Sequence, residues 1–185
     1  MDRQDNQSPI VEGAIARLLG ERRVVVAAVL SHGVYLYYWL YLSWKHLREE
    51  TGRNYYPVWH ALAMLAPVFN LYIIYVHLKA IRELLAASGM ETTLSPVRGV
   101  VLMGAVEVMS LVTFFRASTV SLGQALLMDL VGIAVVAYIV LWGQSSLNRY
   151  WAQKYGERLR DAPLGRGEVL IVLLGLWTWT LYFVG

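Results

Sequence analysis

The chain has 185 residues, of which 57% are hydrophobic and only 16% charged, against roughly 45–50% and about 25% in soluble domains, an excess that points to a membrane. Sixteen Lys and Arg against thirteen Asp and Glu leave a net charge of +3, with no gathered basic face of the kind that nucleic-acid binding needs. The absence of cysteine excludes disulfides, thiolate metal sites and cysteine nucleophiles together.

Residues 1–23 read as a cytoplasmic segment. Ser8 and Pro9 make a helix start, and Ile10, Val11, Ala14, Ile15, Leu18 and Leu19 recur at helical spacing up to Gly20, which predicts a short interfacial helix over 9–20. Residues 24–185 then read as one membrane domain. A bilayer core of about 30 Å takes roughly 20 apolar helical residues, and runs of that kind cover 24–44, 58–78, 99–115, 120–143 and 169–185. The first is too long for a signal h-region and no small-x-small cleavage site follows it, so it reads as a retained anchor. The expected fold is all-α, a polytopic integral membrane bundle of about five transmembrane helices plus the N-terminal interfacial helix.

With five spans, twelve Lys and Arg fall on the side of the N-terminus and four on the other, namely Lys45, Arg48, Arg53 and Arg116. That bias predicts a cytoplasmic N-terminus and an outer C-terminus. Tyr37, Tyr38, Tyr41, Trp44, Tyr55, Tyr56 and Trp59 sit where the first two runs meet, and Trp177, Trp179 and Tyr182 near the C-terminus. All read as headgroup anchors on the outer side.

Three stretches carry a resemblance. The first is Gly33-Val34-Tyr35-Leu36-Tyr37-Tyr38-Trp39-Leu40-Tyr41, with Ser31 before it and Lys45 and Arg48 after. Next come Pro57, Pro67, Asn70-Leu71-Tyr72 and the amphipathic Leu78-Lys79-Ala80-Ile81-Arg82-Glu83-Leu84. The last is Gln144-Ser145-Ser146-Leu147-Asn148-Arg149-Tyr150-Trp151. Together they resemble the family of small prokaryotic membrane proteins known as domain of unknown function 4234, most clearly over 22–89 and again at 144–151. Ser31-His32 and Val34 depart from that family's pattern, so His32 is not one of its signatures. The resemblance implies a multi-pass protein of a prokaryotic plasma membrane and supplies no activity.

Ionisable groups at bilayer depth are costly and mark candidate sites. Glu107 and Asp129 lie deep in the third and fourth runs, each eleven residues from Ser118, so a tight hairpin places them at nearly equal depth. Small residues flank both (Gly104 and Ser110; Ala125 and Gly132), which favours close helix contact. If their faces oppose, the two carboxylates share a proton. His32 and Asn70 reach a similar depth, which completes a candidate polar cluster of His32, Asn70, Glu107 and Asp129. Such a cluster acts either as interhelical glue or as a proton or cation site. The four histidines are too widely spaced for a metal motif, with His46 and His60 expected outside and His77 inside. A pigment or haem on His32 stays open, and no catalytic or cofactor-binding residues are assigned. No nucleophile elbow, zinc-protease motif or phosphate loop is present. The function expected is a non-catalytic accessory, assembly or structural subunit whose partners are the bilayer and protein subunits or copies of itself. The alternative is a small proton- or cation-coupled transporter or channel using the intramembrane carboxylates.

Overall fold

In the computed structural model, which describes residues 15–116 and 118–184, all five apolar runs are helical, but two of them fold back on themselves. The elements are β1 (Ile15–Leu18), α1 (Glu21–Leu30), α2 (Tyr35–Thr51), α3 (Pro57–Ala63), α4 (Phe69–Ala87), α5 (Pro96–Phe115), α6 (Leu122–Tyr155), a 3-10 turn (Gly156–Arg158), β2 (Leu159–Asp161) and α7 (Arg166–Val184). Among the described residues this is a bundle of seven α-helices with one two-stranded ribbon.

The run 24–44, expected as one helix, breaks at Ser31–Val34. His32 (φ 52°) and Gly33 (φ 81°) enter the left-handed region, which histidine tolerates better than most residues and glycine tolerates freely. The Gly33 amide donates to Ala28 O (2.8 Å) and the His32 amide to Val29 O (3.1 Å), the paired 6→1 and 5→2 bonds of a Schellman stop. Ser31 Oγ then accepts the Tyr35 amide at 2.8 Å, so one short polar sequence ends α1 and starts α2. The run 58–78 breaks at Met64–Val68 for a different reason. Pro67 removes a backbone donor, and the Phe69 amide bonds back to Pro67 O at 2.7 Å in a γ-turn around Val68 (φ 66°), a strained conformation for a β-branched residue.

Contacts along the helices show that both breaks are reversals. Leu19, just before α1, bonds Asn148 on α6, and His32 beyond its end lies beside Asp129, so α1 runs antiparallel to α6. Trp39 meets Gly143 and Gln144, and Glu50 meets Tyr150 and Tyr155, so α2 runs back alongside α6. In the second pair, the Trp44 ring contacts both His60 of α3 (tilted, 4.5 Å) and His77 of α4 (edge-on, 4.7 Å). Arg53, before α3, bonds Glu83 near the end of α4 (3.0 Å). The expected separation of His60 from His77 on opposite sides is therefore corrected: both flank Trp44.

The two hairpins open at one end of the bundle and have their tips near the middle of α5 and of the stretch of α6 that faces it. Those two helices form an antiparallel pair, with Thr113 against Met128 and Gly132 against Val106 and Met109. They are the two helices long and apolar enough to cross a membrane by length and composition: Pro96–Phe115, and Leu122 onward to Arg158. Ser95 Oγ caps α5 through the Arg98 amide, and Ser121 with Gln124 forms a capping box on α6, each satisfying orphan amides at a helix start. α7 returns beside α1, with Gly175 against the Ser31 backbone.

The open end of the hairpins carries 14 of the Lys and Arg residues; Arg116 alone lies at the other end, and Arg3 is outside the described residues. The expected interfacial helix is corrected where it can be seen. Ile15–Leu18 is a strand that pairs in parallel with β2 (Ile15↔Leu159, Ala16↔Arg160), and residues 9–14 lie outside the described residues. Here pairing with a distant segment overrides a local helical period, as it often does for short segments.

Candidate functional site

Each hairpin tip is held by one carboxylate from the central pair. Asn70, two residues beyond the Val68 turn, donates from Nδ2 to Glu107 Oε1. His32, inside the first turn, places Nε2 3.9 Å from Asp129 Oδ2 and stands edge-on to Trp179 of α7 at 4.9 Å. The four polar residues singled out in the sequence therefore divide into two pairs, each joining a tip to a spanning helix. Glu107 is level with Gly132, about one helical turn (~5 Å) from Asp129, and the carboxylates turn to different partners.

Beneath the first tip lies a cavity of about 290 Å³ between α5 and α6. Its walls include His32, Asp129, Ser110 and Thr113 as polar groups and Met103, Met109 and Met128 as thioethers. The cavity exists because the hairpin stops halfway: α5, α6 and α7 continue past it and α1 and α2 do not.

The Gln144 to Trp151 stretch supplies a third constellation, whose purpose the sequence alone did not reveal. Trp39 Nε1 donates to Gln144 Oε1 (2.8 Å), Gln144 Nε2 to Asn148 Oδ1 (2.8 Å), and Asn148 Nδ2 to Leu19 O (2.7 Å). Arg17 lies over the Trp151 ring at 4.8 Å. Positions 144, 148 and 151 share one helix face, and that face grips both legs of the first hairpin. The spacing was the available signal.

At the open end, Glu50 is the centre of a latch. Its side chain is only 3% exposed and accepts from Arg17 Nη1 (2.7 Å), Tyr150 (2.5 Å), Tyr155 (2.6 Å) and Lys154. Burial alone raises its pKa, but the four donors outweigh burial and hold the carboxyl at about 2, below the usual 4.5. Nearby, burial together with Arg17 lowers the His46 imidazole to about 4. A second buried pair, Arg23 with Glu168, ties α1 to α7, and the Arg23 guanidinium also donates to Pro163 O (3.0 Å).

His77 is wholly buried between Trp39 and Trp44 and shares a 2.9 Å hydrogen bond with Ser43. Among the described residues, no three His, Asp or Glu side chains gather as a metal ion would need. No family model, no curated protein and no solved structure matches the chain.

Proposed function

We propose that this is a non-catalytic integral membrane protein of a prokaryotic plasma membrane, crossed by α5, α6 and α7, with α1/α2 and α3/α4 as re-entrant hairpins inserted from the cytoplasmic face. In this reading it shapes or senses the bilayer as a wedge. The observation that carries it is that both hairpins open at the same, basic end and turn at mid-length of the central pair. Seven helices then occupy the inner leaflet and three the outer. At a helix diameter of about 10 Å, four extra helices add roughly 300 Å² to one leaflet, enough to displace several lipids.

Other features support the same arrangement. Only 6% of the apolar window of α5 is buried, whereas the core helix of a soluble protein is mostly buried. Val97, Val101, Val108, Leu111, Phe114 and Phe115 all face outward, a contiguous apolar surface far beyond what soluble proteins expose. Placing the basic end in the cytoplasm turns an 11-to-4 excess of Lys and Arg among the described residues into 14 to 1, in the sense of the positive-inside rule. The exposed Arg22, Lys45, Arg48 and Arg82 suit anionic headgroups. This topology replaces five spans with three and keeps the N-terminus inside and the C-terminus outside. The resemblance over 22–89 belongs to the same proposal.

A second reading, a proton- or cation-coupled channel, is favoured by the cavity beneath the first tip. Two measurements separate the readings. Because the chain has no cysteine, single substitutions can be labelled directly with a membrane-impermeant maleimide. Asn54→Cys should label from the same side as Glu157→Cys and opposite to Ser118→Cys; labelling of Asn54→Cys with Ser118→Cys would overturn the re-entrant topology. In anionic proteoliposomes, vesicle diameter should fall as protein density rises, with no proton or alkali-cation flux; unchanged diameters together with a flux would favour the channel.

A further inference from the structure

We infer that the cavity under the first hairpin tip is a binding site for a soft monovalent cation, Cu(I), held by thioethers and an imidazole. Beyond the bundle itself it needs nothing from the wedge reading, and binding in detergent tests it independently of topology.

The donor set is the argument. Of the five methionines among the described residues, three line this one cavity: Met103 edges one end, six residues (~9 Å) along α5 from Met109, and Met109 and Met128 lie toward the end that holds His32 and Asp129. They come from facing helices. Met109 reaches across to Gly132, where a Cβ would stand 3.7 Å from its terminal methyl, and Thr113 Oγ1 lies 2.9 Å from Met128 Sδ. That contact fixes the Met128 sulfur on the α5-facing wall, one residue from Asp129. Met64 is buried in the hydrophobic core, and Met90 and Met103 pack against it.

Thioether and imidazole donors select soft ions, whereas magnesium, calcium and alkali cations require oxygen-rich shells. The oxygen donors point the same way. Glu107 is turned to Asn70, so Asp129 is the one carboxylate lining the cavity, too few oxygens for the shell of about six that hard divalent ions take. The turn assists as well: His32 sits in the left-handed region, which aims its ring beneath the tip and across the cavity toward Asp129.

The test uses Ag(I), a redox-stable soft probe, on the untagged full chain in chloride-free detergent. Isothermal titration should give saturable binding of one Ag(I) per chain. The Met109→Leu, Met128→Leu double variant conserves volume and should bind at least about tenfold more weakly, whereas Met64→Leu with Met90→Leu should bind as the parent does. With ¹³C-methyl methionine labelling, Ag(I) should shift the resonances of Met109 and Met128 and leave those of Met64 and Met90 in place. The NMR experiment needs no variant, so a misfolded double mutant cannot mask the result. Absence of saturable binding, equal affinity in the double variant, shifts confined to Met64 and Met90, or tighter binding of Zn(II) than Ag(I) would each overturn the assignment.

Discussion

Replacing Glu50 with glutamine tests whether the first hairpin is latched at its open end by charge. The carboxylate bridges Arg17 ahead of α1, its own helix α2, and Tyr150, Lys154 and Tyr155 of α6. A fall in its pKa from 4.5 to about 2 corresponds to roughly 3 kcal/mol favouring the charged form. Lys154 is 47% exposed, and solvent screening trims the latch to about 2 kcal/mol. The expected loss in Glu50→Gln at neutral pH is therefore about 4–8 °C in unfolding midpoint for a chain of this size. Tryptophan fluorescence in mild detergent can follow it, since seven tryptophans are present. Because the folded-state pKa is depressed, the contribution is complete above the unfolded value of 4.5 and disappears as pH falls toward about 2. The parent should lose stability across that window, and Glu50→Gln should lack that loss. A variant within about 1 °C of the parent at neutral pH, or with the same acid limb, would refute the reasoning.

Three further outcomes are expected. His46, lowered by burial to about 4 from 6.5, must take up a proton on acid unfolding, so its stabilisation holds above 6.5 and is lost as pH falls toward 4; His46→Gln should flatten that limb of the same pH series. Asn70→Leu, which strips Glu107 of its amide partner at the second tip, should cost about 0.6–1.7 kcal/mol, the scale of interhelical hydrogen bonds in membranes, while Glu107→Gln stays close to the parent in unfolding midpoint. Gly175→Ala drives a methyl into the Ser31 backbone and Gly143→Ala sets one 2.6 Å from the buried Trp39 ring. Each should cost about 1–3 kcal/mol, Gly175→Ala more because backbone cannot rotate aside, whereas Gly104→Ala, with nothing within 4 Å, should be neutral.

The apolar runs and their helical character were legible from the sequence, and so was the similar level of Glu107, Asp129, His32 and Asn70 along the bundle. The direction of the chain within two runs was not. A stretch such as 24–44 has the same composition whether its helix continues or reverses halfway, and hydropathy carries no sign for direction. The local cues were present. Ser31-His32-Gly33 interrupts the first run with a cap, a residue tolerant of the left-handed region and a glycine, while Pro67 interrupts the second. Read one at a time, these looked like polar inclusions and a kink. Lys45, Arg48 and Arg53 were the other cue: three of the four basic residues that a five-span reading sends to the minority side lie between the two broken runs. The pairing of Glu107 with Asn70 and Asp129 with His32 could not be read from depth alone, because depth places residues at a level but does not say which neighbours surround them. The β1–β2 ribbon was hidden for a related reason, since its partners stand about 140 residues apart and neither is long enough to show a period.

That long-range stitching bears on how the protein is made. Tyr155 reaches Glu50 across 105 residues, and Asn148 reaches Leu19 across 129. At ribosomal rates of about 5–20 residues per second, the first hairpin emerges roughly 5–20 s before the helix that grips it. During that interval Arg17, Glu50 and the Leu19 backbone have none of their α6 partners. A nascent chain halted before residue 144 should therefore hold its first hairpin loosely, and insertion would be complete only when the Gln144–Trp151 face arrives to close it.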